Sequence, residues 1–382
     1  MRKLAAFLFV AFSTTANAAW QDPWREPQDT AMAFARPSEY AWRLFVALNW
    51  PADVAGRTAD PTRPFGADGP VVWETWKNAR QVFLPTGADP GPWLDGTTAV
   101  ARSFEDAEPA PLQQIARAQR LSGGAVPAFD PDAARRQRNE TRLNKDVYEF
   151  VRTNQLYNIE GQLALVAQQR STISVPLMGK ETKAQWRQIM QADKPRYHWT
   201  EVANPDGTVT IFGLTALHIT TKDLPSWFWV TFEHVDNPTR PGNEPWQLAS
   251  SDKFACQAAP QPDCNLAPTG IGLENTKWAH YRLRGTQIDF ADSAGQPLLL
   301  ANSQPESGFQ TTSSCITCHA RSSIGVIGNT PTRLSIFKPT GQGYVGPVDP
   351  NWFTVDSIGG SVVLFTQLDF VWSLFRAQPK QP

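Results

Sequence analysis

Near its carboxyl end the chain runs Ser313-Ser314-Cys315-Ile316-Thr317-Cys318-His319-Ala320. No other stretch restricts the fold as much, because Cys-x-x-Cys-His is the spacing that attaches a c-type haem. Two thiols separated by two residues reach the two vinyl groups along one porphyrin edge. The adjoining His319 then lies under the ring and offers its imidazole as an axial iron ligand. The expected cofactor is therefore one covalently bound haem c, with Cys315 and Cys318 as attachment points. A zinc half-site would need a second Cys or His pair at similar spacing, which the sequence lacks. A thioredoxin-like dithiol would sit between a strand and a helix, usually after an aromatic residue or glycine. Here Thr312, Ser313 and Ser314 precede the motif.

The amino terminus points to the compartment where such attachment occurs. Arg2 and Lys3 give a basic start, Leu4 to Phe12 is an apolar run, and Ala16-Asn17-Ala18 is a small-x-small cleavage site. The apolar run is too short to span a bilayer and is ended by Ser13, Thr14 and Thr15. Residues 1–18 read as a signal peptide cleaved after Ala18, with Ala19 as the alternative. No later stretch approaches twenty apolar residues, so the mature chain is expected to carry no transmembrane segment and to reside in the periplasm.

Charge narrows the partners. Lys plus Arg is 35 and Asp plus Glu 36, a net charge of −1 that argues against nucleic acid. The expected partner is a periplasmic redox protein. Thirty-two prolines imply long loops, while 15 Trp and 21 Phe supply ample core. A Trp-lined sugar groove is the other use of so many indoles. Two cysteines remain outside the motif, Cys256 and Cys264, in a stretch rich in Pro, Gln and Asp. In an oxidising compartment they are expected to form a disulfide, stabilising by about 2–3 kcal/mol through loop closure. Metal ligation by this pair lacks further ligands.

The pattern along the chain predicts an α+β fold. Its parts are N-terminal helices, a central antiparallel sheet of about five to seven strands, and a C-terminal haem-attachment segment with few helices. A helix follows Pro37 with Ser38 as N-cap and ends at Asn49-Trp50-Pro51. Val71 to Trp76 starts a second apolar segment, helix or strand, with helix through Ala79 preferred; about Asp132 to Asn154 reads as a longer helix and Glu160 to about Gln168 as a short one. Residues 84–131 read as mostly irregular. From Ile173 the period changes to two. Strands are expected at Ile173-Ser174-Val175, Lys183 to Met190, Arg196 to Val202, Thr208 to Thr220, Trp227 to Val235, Trp278 to Leu283 and Thr286 to Phe290. Turns are expected at Pro205-Asp206-Gly207 and Arg284-Gly285. A last helix is expected around Leu368 to Ala377. The body spans 19–297, and the haem segment, 298–382, packs on it.

That segment departs from an ordinary small cytochrome c domain. Only 63 residues follow His319 and none is methionine. A sixth iron ligand must then come from earlier in the chain, from Met32, Met178, Met190, His198, His218, His234 or His280. Met190 reads as core; Met178, after Pro176, sits where it can reach a haem. His218 and His234 lie on adjacent predicted strands. With the hairpin centred near Asp223, both fall on one face, yet six residues apart, about 20 Å at ~3.3 Å per residue. They cannot serve one iron together, though either can alone; for each one by itself the favoured reading is a hydrogen-bonded structural histidine. An open sixth site is the remaining possibility. Glu233-His234-Val235-Asp236-Asn237 combines acid, base and amide, a proton-handling set or a turn capped before Pro238.

Four stretches resemble a family of exported bacterial cytochrome c proteins. They are Phe45 to Pro51, Gly213 to Ile219, Trp227 to Pro238 and Ser314 to Arg321. The resemblance implies covalent haem and periplasmic residence. It transfers Cys315, Cys318 and His319 as haem residues and brings no substrate. Electron transfer is the function expected. A peroxidase- or oxygenase-type haem enzyme with an open distal site is the alternative, favoured by the large non-haem body. A ligand-binding or sensor protein is the second alternative.

Overall fold

In the computed structural model the described residues are 20–94, 104, 137–237, 254, 267–304, 306, 310–340, 342–357 and 360–381. Residues 1–18, read above as a signal peptide, and the pair Cys256 and Cys264, expected to form a disulfide, lie outside them. The fold is α+β, organised around a seven-stranded antiparallel sheet. Its strands are β1 (Lys77–Asn78), β2 (Gln137–Leu143), β3 (Lys180–Gln188), β4 (Trp199–Ala203), β5 (Val209–Thr221), β6 (Phe228–His234) and β7 (Tyr281–Gln287). The order is β1-β2-β3-β5-β6-β7, and β4 pairs with the first part of β5. No helix among the described residues is long and apolar enough to cross a membrane.

One face of the sheet is apolar and meets the N-terminal helices α1 (Thr30–Ala35) and α2 (Pro37–Leu48). Phe228, Val230 and Phe232 alternate onto this face of β6. Phe45 and Trp42 of α2 pack on Phe232 with ring centroids 4.3 and 5.0 Å apart, and Tyr40 meets Phe228 at 5.2 Å. The Tyr40 hydroxyl donates to Asp223 at 2.6 Å, tying the helix to the β5–β6 hairpin. Proline occupies the first position of α2, where its missing N–H costs nothing. The N-cap is Arg36 rather than Ser38.

The other face is polar, and the C-terminal segment covers most of it while leaving Lys183 exposed. Glu181, Lys183, His218, Trp229, Thr231, Glu233 and Gln287 project from it, as the cross-strand pairs His218↔Lys183, His218↔Thr231 and Trp229↔Gln287 require. The C-terminal segment lies over the others and supplies hydrogen-bond partners. Asn302 donates to Thr231 at 2.8 Å, Ser303 to Glu233 at 2.6 Å, and Ser373 to Glu181. A buried polar face is tolerated only when its groups are paired in this way. A small sheet, β8 (Ser323–Ile327), β9 (Thr330–Thr332) and β10 (Phe365–Gln367), holds the segment together.

Several expectations are corrected. The charged run 137–143 is strand β2, not the start of a helix; α3 (Lys145–Thr153) begins only after Asn144, whose side chain accepts from Val147 N. The charges suggested a solvated helical face, but Glu140 and Arg142 are a fully buried ion pair. Helix α4 (Ile159–Ala167) lies where expected. Val71 to Ala79 divides into a 3-10 turn (Val72–Thr75), β1 and the start of a helical turn (Ala79–Val82). Ile173 to Val175 forms no strand of the sheet. Trp278 belongs to a 3-10 turn (Lys277–His280), and β7 runs through Arg284-Gly285 as a bulge, with Gly285 at φ +154°. The last predicted helix is a 3-10 turn, Trp372–Arg376.

Burial of Glu181 has a measurable consequence. Desolvation pushes its carboxyl up to about 7 from an ordinary 4.5. Between those values the folded chain holds a proton that the unfolded chain releases. The stabilising contribution is therefore full below about pH 4.5 and lost as pH rises through about 7, a change of about 3 kcal/mol. Glu181→Gln should remove this slope, so that the variant gains on the native chain between pH 5 and 8 in urea unfolding. Parallel curves would contradict the assignment.

Candidate functional site

Helix α5 (Cys315–Ala320) carries the motif and is pinned from several sides. Gln287 at the end of β7 accepts from Ile316 N and donates to Ser314 Oγ, both at 3.0 Å. Thr317 Oγ1 donates to Gly346 O at 2.7 Å, and Trp372 Nε1 to Cys318 O at 3.0 Å. One short helix thus rests on the polar face of the sheet with its orientation fixed.

His319 is held with particular definition. Its Nδ1 lies 2.9 Å from Phe370 O. A carbonyl only accepts, so Nδ1 carries the proton and Nε2 keeps its lone pair. This tautomer, fixed by a backbone carbonyl, is the one a metal-ligating histidine uses. The imidazole packs against Trp229 at 4.5 Å and edge-on to Trp372 at 6.3 Å. The carbonyl itself is presented by unusual backbone: Asp369 (φ +43°) and Phe370 (φ +66°) are consecutive non-glycine residues in the left-handed region. Such conformations cost about 1–3 kcal/mol each and persist only where the surroundings impose them. Asp369 provides that restraint, accepting from Lys222 Nζ at 2.6 Å, Val175 N at 2.7 Å and Trp227 Nε1 at 3.2 Å.

Cys315 and Cys318 are both free thiols. Sγ of Cys315 lies 3.3 Å from Leu300 O, and Sγ of Cys318 lies 3.8 Å from Tyr344 O. Burial pushes the Cys318 thiol up to about 11 and Cys315 well above its usual range. A redox dithiol needs the opposite shift, toward thiolate. Among the described residues, no three His, Cys, Asp or Glu gather to hold a bare metal ion. The donor set fits haem c: two neutral thiols one helical turn apart, and a neutral imidazole beside them with one nitrogen free.

The candidate sixth ligands separate clearly. His218 faces this site. Its Nε2 is buried without a hydrogen-bond partner, and Glu306 Oε2 lies 4.0 Å away. Burial, then Lys183 and His319, hold His218 down to about 3. His234 points to the opposite face. The β5–β6 pairs sum to 449, as in His218↔Thr231, where a hairpin centred on Asp223 would give 446. An odd shift reverses the faces. His234 Nε2 meets Arg196 O at 3.0 Å, its Nδ1 accepts from Asp236 N at 3.1 Å, and its ring stacks on Tyr197 at 3.7 Å. Both nitrogens are committed, so His234 is structural. In the 233–237 run Glu233 and His234 end β6 and a turn follows, with Asn237 N donating to His234 O and Asp236 paired to Arg196. Met178 sits in the turn before β3 at φ +66°, its carbonyl accepting from Asn144 Nδ2 at 2.9 Å and Lys180 Nζ at 3.1 Å. Met190 is 72% exposed and not core.

Lys183, Trp229, Glu306 and the Asp369–Phe370 pair escaped the sequence reading. Period-two alternation of polar residues on β3 and β6 was the available signal for Lys183 and Trp229. Compared with protein-family models, curated proteins and solved structures, the chain shows no significant match in any of the three.

Proposed function

We propose that the chain is an exported monohaem c-type cytochrome that transfers electrons in the periplasm. The observation that carries this reading is His319, whose Nδ1 is bonded to Phe370 O beside two free thiols. Cys315 and Cys318 would each add S–H across one vinyl double bond, sulfur to the ring-side carbon and hydrogen to the terminal carbon. No oxidant is consumed. His319 Nε2 would supply the axial nitrogen. Haem, when bound, supplies a one-electron ferric/ferrous couple. Trp229, Trp372 and Phe370 exclude water from the proximal side, and the Phe370 carbonyl keeps the imidazole neutral and oriented. The signal sequence and the resemblance to exported cytochrome c proteins support the compartment. The redox partner is a periplasmic protein.

A second reading has one observation in its favour. The half-buried Glu306 carboxyl 4.0 Å from His218 is an acid–base combination of the kind a peroxidase-type site uses. Spectroelectrochemistry of the matured protein decides between the two. A reversible one-electron couple, with peroxide left unconsumed, is the result expected of a carrier. High-spin iron that turns over peroxide would overturn electron transfer in favour of the enzyme.

A further inference from the structure

We infer that His218 is the sixth ligand, so that the haem is clamped between two histidines, one from the central sheet and one from the C-terminal segment. The inference rests on the haem reading above and adds the coordination state to it.

His218 occupies the centre of the sheet, with Lys183 of β3 on one side and Thr231 of β6 on the other. Trp229 is its diagonal cross-strand neighbour on the same face and touches the His319 ring at 4.5 Å. Such diagonal neighbours are about 7–8 Å apart, so the two imidazoles lie on the same small area of the polar face. A strand paired on both sides is also a rigid platform for a ligand.

His218 also carries an unsatisfied nitrogen. Several neighbouring groups of the polar face are paired: Thr231 with Asn302, Glu233 with Ser303, Gln287 with Ser314. His218 Nε2 alone among these groups is buried and unbonded. Leaving a buried polar atom unmade costs about 1–3 kcal/mol, and such atoms call for a missing partner. Glu306 does not fill that role, because 4.0 Å is beyond hydrogen-bonding distance and its Oε2 already accepts from Asn302 N at 2.7 Å. Iron would satisfy the lone pair. The rival histidines are placed elsewhere: both nitrogens of His234 are committed as described, and His198 lies on the apolar face with its Nε2 2.8 Å from Glu74 and its ring stacked on Trp278.

The test is spectroscopic and uses the full exported chain matured with haem. Native ferric protein should be low-spin by EPR, and the ferrous form should bind carbon monoxide slowly or not at all. His218→Ala should give high-spin iron that binds the gas rapidly, and added imidazole should restore the low-spin spectrum. His218→Met should stay low-spin with a raised midpoint potential, since Met/His ligation raises it. The methionine variant keeps the test decisive if the alanine variant fails to mature. Low-spin iron in His218→Ala without added ligand, or a high-spin native protein, would overturn the inference. Intact mass of each preparation separates this from failure of the haem reading itself, in which no adduct would be present at all.

Discussion

Glu233→Ala should cost the fold about 3–5 kcal/mol, the typical loss when one partner of a buried ion pair is removed. Glu233 is fully buried on β6. Its Oε1 accepts from Arg282 Nε and Nη2 at 3.0 and 2.6 Å and lies 3.3 Å from Arg284 Nη1. Its Oε2 accepts from Ser303 at 2.6 Å. The carboxylate thus joins the last strand of the sheet to the first turn of the C-terminal segment. Its loss leaves two guanidinium groups without their shared counter-charge and frees the segment at the point where it begins to cover the polar face. Glu233→Gln, which keeps hydrogen bonding but not charge, should lose less. Glu201→Ala provides a control. Glu201 is half-exposed in its pair with Lys194, and the expected loss is under about 1 kcal/mol. Equilibrium urea unfolding measures all three, and a Glu233→Ala loss as small as the control would contradict the assigned role.

Asp369→Ala is expected to rank beside it, at about 3–5 kcal/mol, and to reach the proposed haem site as well. Removing this carboxylate takes a charged partner from buried Lys222 and acceptors from Val175 N and Trp227 Nε1. It also releases the restraint on two left-handed residues. Once Asp369 and Phe370 relax, the Phe370 carbonyl no longer holds His319 Nδ1 in place. The matured variant should therefore show a shifted potential and a broadened EPR spectrum in addition to lower stability. A purely structural Asp369 would lower stability and leave the haem signals unchanged.

How much of this was legible depends on the length scale of each signal. The motif is local chemistry and read directly. Strands β3 to β6 carry period-two patterns strong enough to place the sheet, and Pro37 marked the start of α2. Strand β2 was hidden because its charges are buried in pairs, which sequence cannot distinguish from a solvated face. The face of His234 was lost to a hairpin centre misplaced by one and a half residues, where any odd change in register sum reverses the outcome. Nothing local marks Asp369 and Phe370, whose backbone strain is imposed by Lys222, Val175 and Trp227, distant in the chain. Glu306 gains its role only when the C-terminal segment folds back over β5.

The most direct measurement is the intact mass of the exported, mature chain under denaturing conditions, read together with its absorbance. The account predicts one haem added to the polypeptide, a Soret band that stays with the unfolded protein, and loss of both in a Cys315→Ala/Cys318→Ala variant. A bare polypeptide mass with no Soret band, from a host competent in cytochrome c assembly, would contradict it.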